Sequence, residues 1–369
     1  MFSIDMFNQV SKHGNPRDVG LDALRGFAIL LVVVHHVGLS FPSAESSVLT
    51  RFLISIGWGG VDLFFAISGF LITGILLKTT DGADIKGFFI KRIFRIVPLY
   101  LAALSLFFLG SVFLGHDKEI IDRIWINVLF LTAWAIPFLG ENGVPYTITW
   151  SVSVEETAYI VFGFAALFGA RAFRLALICI VFFAFLVRVI FVMLGFEPET
   201  IYYFAPGRLD AIALGGLAAV FLSSPARTNW RQVTVLMVSI LVGLGILSGW
   251  SRSNAFVAMF GYSAIGVLAA WLVVSVSRLR CGDRALPVNL FGRLGLVSYF
   301  VYLFHGFVIA AVKILFPQAS DWSVEMLTVL VVLLTYLPAM LSWRFFEQPL
   351  IQLGRRLSEV RRAKAAALQ

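Results

Sequence analysis

The sequence predicts an all-α integral membrane protein, a bundle of about ten transmembrane helices with both termini cytoplasmic. Three observations carry that expectation. Hydrophobic residues make up 59% of the chain against 14% charged, with a mean hydropathy of +0.90. Apolar stretches long enough to cross a bilayer recur along its whole length, and Lys and Arg gather in alternate short loops. A soluble domain of this size cannot hide so much apolar surface, because its own exterior needs more polar side chains. The 36 Phe and 9 Trp suit lipid-facing walls and interfacial belts.

A span needs about 20 mostly apolar residues. Such stretches lie near 20–40, 53–77, 96–114, 148–169, 173–194, 206–222, 233–250, 255–276, 294–316 and 323–343. A further stretch, 121–139, is ambiguous, since it holds Asp122, Arg123, Asn127 and Pro137. Loop charge decides it. With the N-terminus inside, the loop carrying Lys78, Lys86, Lys91, Arg92 and Arg95 faces the cytoplasm, and Arg171 and Arg174 join it only if 121–139 does not cross. Arg227, Arg231, Arg278, Arg280 and Arg284 then fall inside, while Glu197, Glu199, Asp321 and Glu325 fall outside. Segment 121–139 is therefore expected to be re-entrant or interfacial, which is tolerated where such a piece lines a protein cavity. The organisation is a cytoplasmic segment 1–19, a transmembrane domain 20–349 and a basic cytoplasmic tail 350–369, with no internal repeat.

The net charge of +8 does not indicate nucleic acid, because the basic residues sit in short loops and in the tail at Arg355, Arg356, Arg361, Arg362 and Lys364. Such clusters set orientation and meet anionic lipid headgroups. Cys179 and Cys281 form no metal or disulfide pattern, so no metal site is expected. Residues 1–19 are too polar for a cleavable signal peptide.

Ionisable residues inside spans are costly and mark function by default. In LDALRGFAILLVVVHH, Arg25 and His36 stand eleven positions apart. That spacing is three turns plus about 20°, so they share a helix face about 16 Å apart along the axis. The competing explanation is a snorkelling arginine and a packing histidine. Asp62 opens the second helix, Glu155 and Glu156 lie in the fourth, and Arg208 and Asp210 begin the sixth. The topology puts all of them in the outer half, near the level of His36, as if around one cavity; an Arg208–Asp210 ion pair is the structural alternative. Only one of Glu155 and Glu156 can face a given direction. Arg188, in the fifth helix, has no evident partner.

At the mouth of the third span, KRIFR sets Arg92 and Arg95 three apart on one face. That fork suits phosphate groups, and positive-inside anchoring explains it too. The ninth helix carries Tyr299, Tyr302 and His305 broadly on one side, while Trp343, Arg344 and Glu347 mark the cytoplasmic end of the tenth.

Taken in order, LDALRGFAILLVVVHH, GVDLFFAISGFLIT, RIFRIVPLY, TWSVSVEE, RLDAIALGG, SYFVYLFH and FFEQPL resemble blocks of the acyltransferase-3 family of membrane acyltransferases, from Leu21 to about Pro349. Arg25 and His36 match the family's pattern of a basic residue, ten positions, then histidine. His35 departs from the usual aromatic or aliphatic residue, and TAY follows VEE where QFY is common.

The resemblance implies an inner-membrane O-acyltransferase that moves an acyl group, commonly acetyl from acetyl-CoA, to a hydroxyl of an extracytoplasmic or lipid-linked glycan. Arg92 and Arg95 would then grip the coenzyme's phosphates and Arg25 would help hold the donor. His36 would act as the base or as an acyl carrier, with Asp62, Glu155 and Glu156 beside it. Trp150, Ser151, Arg208, Asp210, Tyr299, Tyr302 and His305 would bind substrate or support the site. Many members carry a further C-terminal hydrolase-like domain; here the expectation is a membrane domain acting alone or with a partner. A secondary transporter is the alternative, although paired broken helices and repeated halves are not evident. A lipid-sugar glycosyltransferase would favour acids on long outer loops, and the outer loops are short.

Overall fold

The structure is a computed structural model that describes residues 18–79, 82–115, 118–222, 252–278 and 286–366, together with positions 233, 236, 237, 239 and 243. The span expected at 233–250 falls almost wholly outside them, as do Arg227, Arg231, Arg280 and Arg284. Among the described residues every regular element is helical, and eight helical runs are long and apolar enough to cross a membrane.

Helix α1, Val19–Ser40, begins where the Asp18 side chain accepts from the Leu21 amide at 3.1 Å. The second expected span is a broken helix: α2 (Val48–Ile56), a tight turn over Gly57–Gly59, then α3 (Gly60–Leu76). Its glycines let it cross α1 at backbone distance, since a Cβ on Gly57 would lie 2.5 Å from the Leu31 carbonyl oxygen. Helix α4 runs over 32 residues, Gly82–Phe113, about 48 Å and longer than a bilayer's hydrocarbon core. Arg92 and Arg95 therefore sit well inside a helix rather than at its mouth, because the charged run 84–95 is itself helical.

Residues 118–139 form three short helices, α5 (Lys118–Asp122), α6 (Ile124–Val128) and α7 (Thr132–Leu139), none long enough to cross. Where the helices break, Leu131 N–H donates to the Ile126 carbonyl at 2.8 Å and Tyr100 OH to that of Asn127 at 2.7 Å. Buried Asn127 donates from Nδ2 to the Tyr146 carbonyl at 3.0 Å and to Thr149 Oγ1 at 2.9 Å. Helix α8 spans Trp150–Ala166, α9 Ala170–Met193, α10 Pro198–Tyr203 and α11 Ala205–Leu222. A π turn at Val257–Gly261 leads into α12 (Tyr262–Arg278). The stretch expected at 294–316 is interrupted at Val297, between α13 (Leu286–Leu296) and α14 (Ser298–Leu315).

Helix α15, Val324–Ser342, does not end at SWRFFEQPL. A five-residue π turn, Trp343–Glu347, carries the chain into α16, Gln348–Ala366. Ser342 Oγ donates to Glu347 at 3.0 Å, so Glu347 is held inside a continuous helix and does not terminate one. Most of the expected basic tail is thus helical, and it packs along α4.

Close backbone contact holds the centre. A Cβ on Gly69 (α3) would lie 1.8 Å from the Ile212 carbonyl oxygen, and one on Gly215 (α11) 2.0 Å from that of Ala66. Gly26 (α1) meets Phe291 in the same way at 1.9 Å, and Gly295 (α13) meets Asp22 at 1.8 Å. Lipid is as apolar as leucine, so membrane helices associate through such close packing rather than by escape from solvent. Phe182, Phe113 and Met193 point outward, as lipid-facing residues should.

Candidate active site

Two adjoining cavities open between α1, α3, α4, α8 and α14. The first, an arginine chamber, is lined by Arg25, Arg92 and Arg95 together with Ser68, Ser151, Glu155, Tyr159, Tyr299 and Tyr302. The second, a histidine chamber, is lined by His35, His36, Trp58, Trp150, Tyr202, Tyr203, Arg252 and Tyr302. Val61 and Tyr302 belong to both, so they form the partition between them.

The arginine chamber gathers three guanidinium groups around one carboxylate. Arg25 keeps Asp22 at 3.1 Å, and Arg92 lies over the Tyr159 ring at 5.2 Å. Glu155 accepts from Ser68 Oγ at 2.9 Å and from Tyr159 OH at 2.8 Å. Ser151 and Glu155, four apart on α8, face the same way. Glu155 therefore shares a chamber with the arginines, not the level of His36, because α8 carries it more than a turn beyond Trp150. Glu156 lines neither chamber.

In the histidine chamber, His36 Nδ1 lies 3.1 Å from His305 Nε2. His305, 1% exposed, turns its Nδ1 to the carbonyl oxygens of Val301 at 3.0 Å and Tyr302 at 2.8 Å. His35 donates from Nδ1 to the Ile54 carbonyl at 2.6 Å. At the partition, Tyr302 OH accepts from Ser151 Oγ at 2.8 Å and donates to the Ile148 carbonyl at 3.0 Å. Tyr299 OH donates to the Ile96 carbonyl at 3.1 Å.

Arg208 and Asp210 do not pair with each other. Two positions along a helix turn side chains about 200° apart, so the two face different neighbours. Arg208 binds Asp62 at 2.7 Å, clamped between the Tyr202 and Tyr262 rings at 4.8 and 4.3 Å. Asp210 binds Arg188 at 2.8 Å, which gives that buried arginine its counter-ion. All four side chains are fully buried and line neither chamber, so they brace the wall around the site.

Several lining residues escaped the sequence reading. Tyr159 follows Glu155 by one helical turn, a spacing that could have exposed it. Tyr202, Tyr203 and Arg252 lie in short connecting segments with no periodic signal. Arg252 stacks over Tyr202 at 4.9 Å and donates to Tyr203 OH at 3.5 Å. Burial pushes the Tyr203 phenol up, although Arg252 opposes it.

Helices enclosing a polar two-chamber cavity, with three arginines in one room and two histidines beside Arg252 in the other, define a polytopic membrane protein with an internal reaction or binding site. The chain belongs to the acyltransferase-3 family, whose model, described as an acyltransferase domain, matches residues 18–344. It is 24% identical to the O-acetyltransferase OatA of Staphylococcus aureus over 383 residues, covering 94% of this chain and 60% of the relative. It is 23% identical to the peptidoglycan O-acetyltransferase OatA of Listeria monocytogenes over 363 residues, covering 90% of this chain and 56% of the relative. The chain thus spans under two thirds of the length of these relatives. No solved structure matches it.

Proposed function

We propose that this chain is an inner-membrane O-acetyltransferase that moves an acetyl group from cytoplasmic acetyl-CoA to a hydroxyl of an extracytoplasmic or lipid-linked glycan. The names of the relatives support the reaction and the acceptor class. The observation that carries the reading is the adjacency of the two chambers across Val61 and Tyr302. Arg25, Arg92 and Arg95 suit the phosphates of a coenzyme, since guanidinium forks match phosphate oxygens. His36 stands in the next chamber as the group for acceptor chemistry.

A sugar hydroxyl is a poor nucleophile and needs a base that works near neutral pH, which histidine supplies. His36 takes the hydroxyl proton as the oxygen attacks the thioester carbonyl carbon. The C–O bond forms, the C–S bond breaks, and the proton passes from His36 to the departing thiolate. Atoms and charge balance with no other reactant. Glu155, already accepting two hydrogen bonds, holds Ser68 and Tyr159 around the donor.

Membranes that carry the native glycan, supplied with radiolabelled acetyl-CoA, test the reading through label released by mild base. His36→Ala should lower incorporation by at least about a hundredfold while the protein still accumulates. Full activity in that variant would remove the catalytic assignment.

A further inference from the structure

We infer that His305 is a positioning residue that fixes the tautomer of His36 and keeps its Nε2 free of a proton, ready to act as a base. It rests on the acyl-transfer reading above and gives His305, which the fold brings against His36, a defined part in it.

Both oxygens facing His305 Nδ1, those of Val301 and Tyr302, are backbone carbonyls, which can only accept. Nδ1 of His305 must therefore carry a proton. In a neutral imidazole the other nitrogen is then a bare acceptor. Nε2 of His305 faces His36 Nδ1 at 3.1 Å, so the proton of that hydrogen bond belongs to His36 Nδ1. His36 Nε2 is left with its lone pair, on a ring that lines the histidine chamber.

The opposite arrangement needs a cationic His305 that donates from Nε2, which would leave His36 protonated on Nε2 and useless as a base. Among the described residues no ion pair reaches either ring. His305 is 1% exposed, and a buried charge without a counter-ion is strongly disfavoured. The relay therefore runs one way, from His36 Nδ1–H to His305 Nε2 and from His305 Nδ1–H to the α14 backbone. A third group that orients a base is the usual logic of acid–base sites, more often met with a carboxylate in that place. Here a neutral histidine serves, so the base gains orientation without an added buried charge.

The test uses the full chain in membranes carrying the native glycan, with radiolabelled acetyl-CoA as donor. His305→Leu removes the acceptor, and His305→Met is a second apolar variant should the first accumulate poorly. His305→Gln can present its amide oxygen to His36 Nδ1. The apolar variants should lose about a hundredfold or more in kcat with KM for acetyl-CoA within about twofold, and His305→Gln should return to within about tenfold of the parent. Apolar variants that keep near-parental kcat would overturn the inference. So would a folded His305→Gln as inactive as His305→Leu, or a defect confined to KM. His36→Ala run alongside separates the two ideas: if it stays active, the reading of the site itself fails, whatever His305 does.

Discussion

Arg188 on α9 and Asp210 on α11 form a fully buried ion pair with a 2.8 Å contact. Ser263 of α12 joins it, donating to Asp210 at 2.6 Å, and Arg188 also donates to the Gly207 carbonyl. Three helices are thus tied at one point. Removing one partner strands the other charge in an apolar setting. Asp210→Ala should cost on the order of 3–5 kcal/mol of stability, and a double Arg188→Leu, Asp210→Ala change less than the sum of the two. Apparent melting temperatures of the detergent-solubilised protein, followed by intrinsic fluorescence, would check both.

The glycine contacts allow a sharper comparison. Gly69 and Gly74 lie on the same helix, yet a Cβ on the first would meet the Ile212 carbonyl oxygen at 1.8 Å while one on the second meets nothing within 4 Å. Gly69→Ala should sharply lower the yield of monodisperse protein in fluorescence-detected size exclusion, and Gly74→Ala should leave it at the parental level.

Arg92 and Arg95 face the arginine chamber from inside a long helix. If they hold donor phosphates, Arg92→Ala and Arg95→Ala should each raise KM for acetyl-CoA by about tenfold, with kcat little changed. Steady-state kinetics with varied donor decides this. Loss of folded protein in place of a KM effect would assign them to anchoring.

If acyl transfer runs between the chambers as proposed, Val61 and Tyr302 bound the passage the acyl group would take. One methylene in a tight apolar site is worth roughly 10- to 200-fold in discrimination. Val61→Ala should therefore raise butyryl transfer relative to acetyl transfer by about tenfold, measured by competing the two CoA esters. An unchanged ratio would place selectivity elsewhere.

Helical phase was the legible part of the sequence. Arg25 and His36, eleven positions apart, do occupy one side of α1 and reach adjoining chambers. That 121–139 forms no single long helix was legible too, because loop charge constrains topology independently of hydropathy. Which helices become neighbours was not, since nothing local encodes it. His36 meets His305 across 269 positions, and Asp62 meets Arg208 across 146. The Arg208–Asp210 alternative shows the hazard directly, because closeness along the chain would have stood in for closeness in space. Depth was read only as well as helix ends were known. Glu155 moved to the arginine chamber, and the breaks at Gly57–Gly59 and Val297 lay hidden inside uniformly apolar runs.

The partition made by Val61 and Tyr302 has a meaning for the cell as well as for selectivity. Three arginines at the mouth of an open conduit would attract small anions, and an unbroken watery path would let ions leak down the membrane potential. Val61 and the doubly hydrogen-bonded Tyr302 stand where the two chambers meet, placed to interrupt such a path. Under the proposed transfer, two rooms that meet at these side chains would let chemistry be handed on while the bilayer's electrical insulation is preserved.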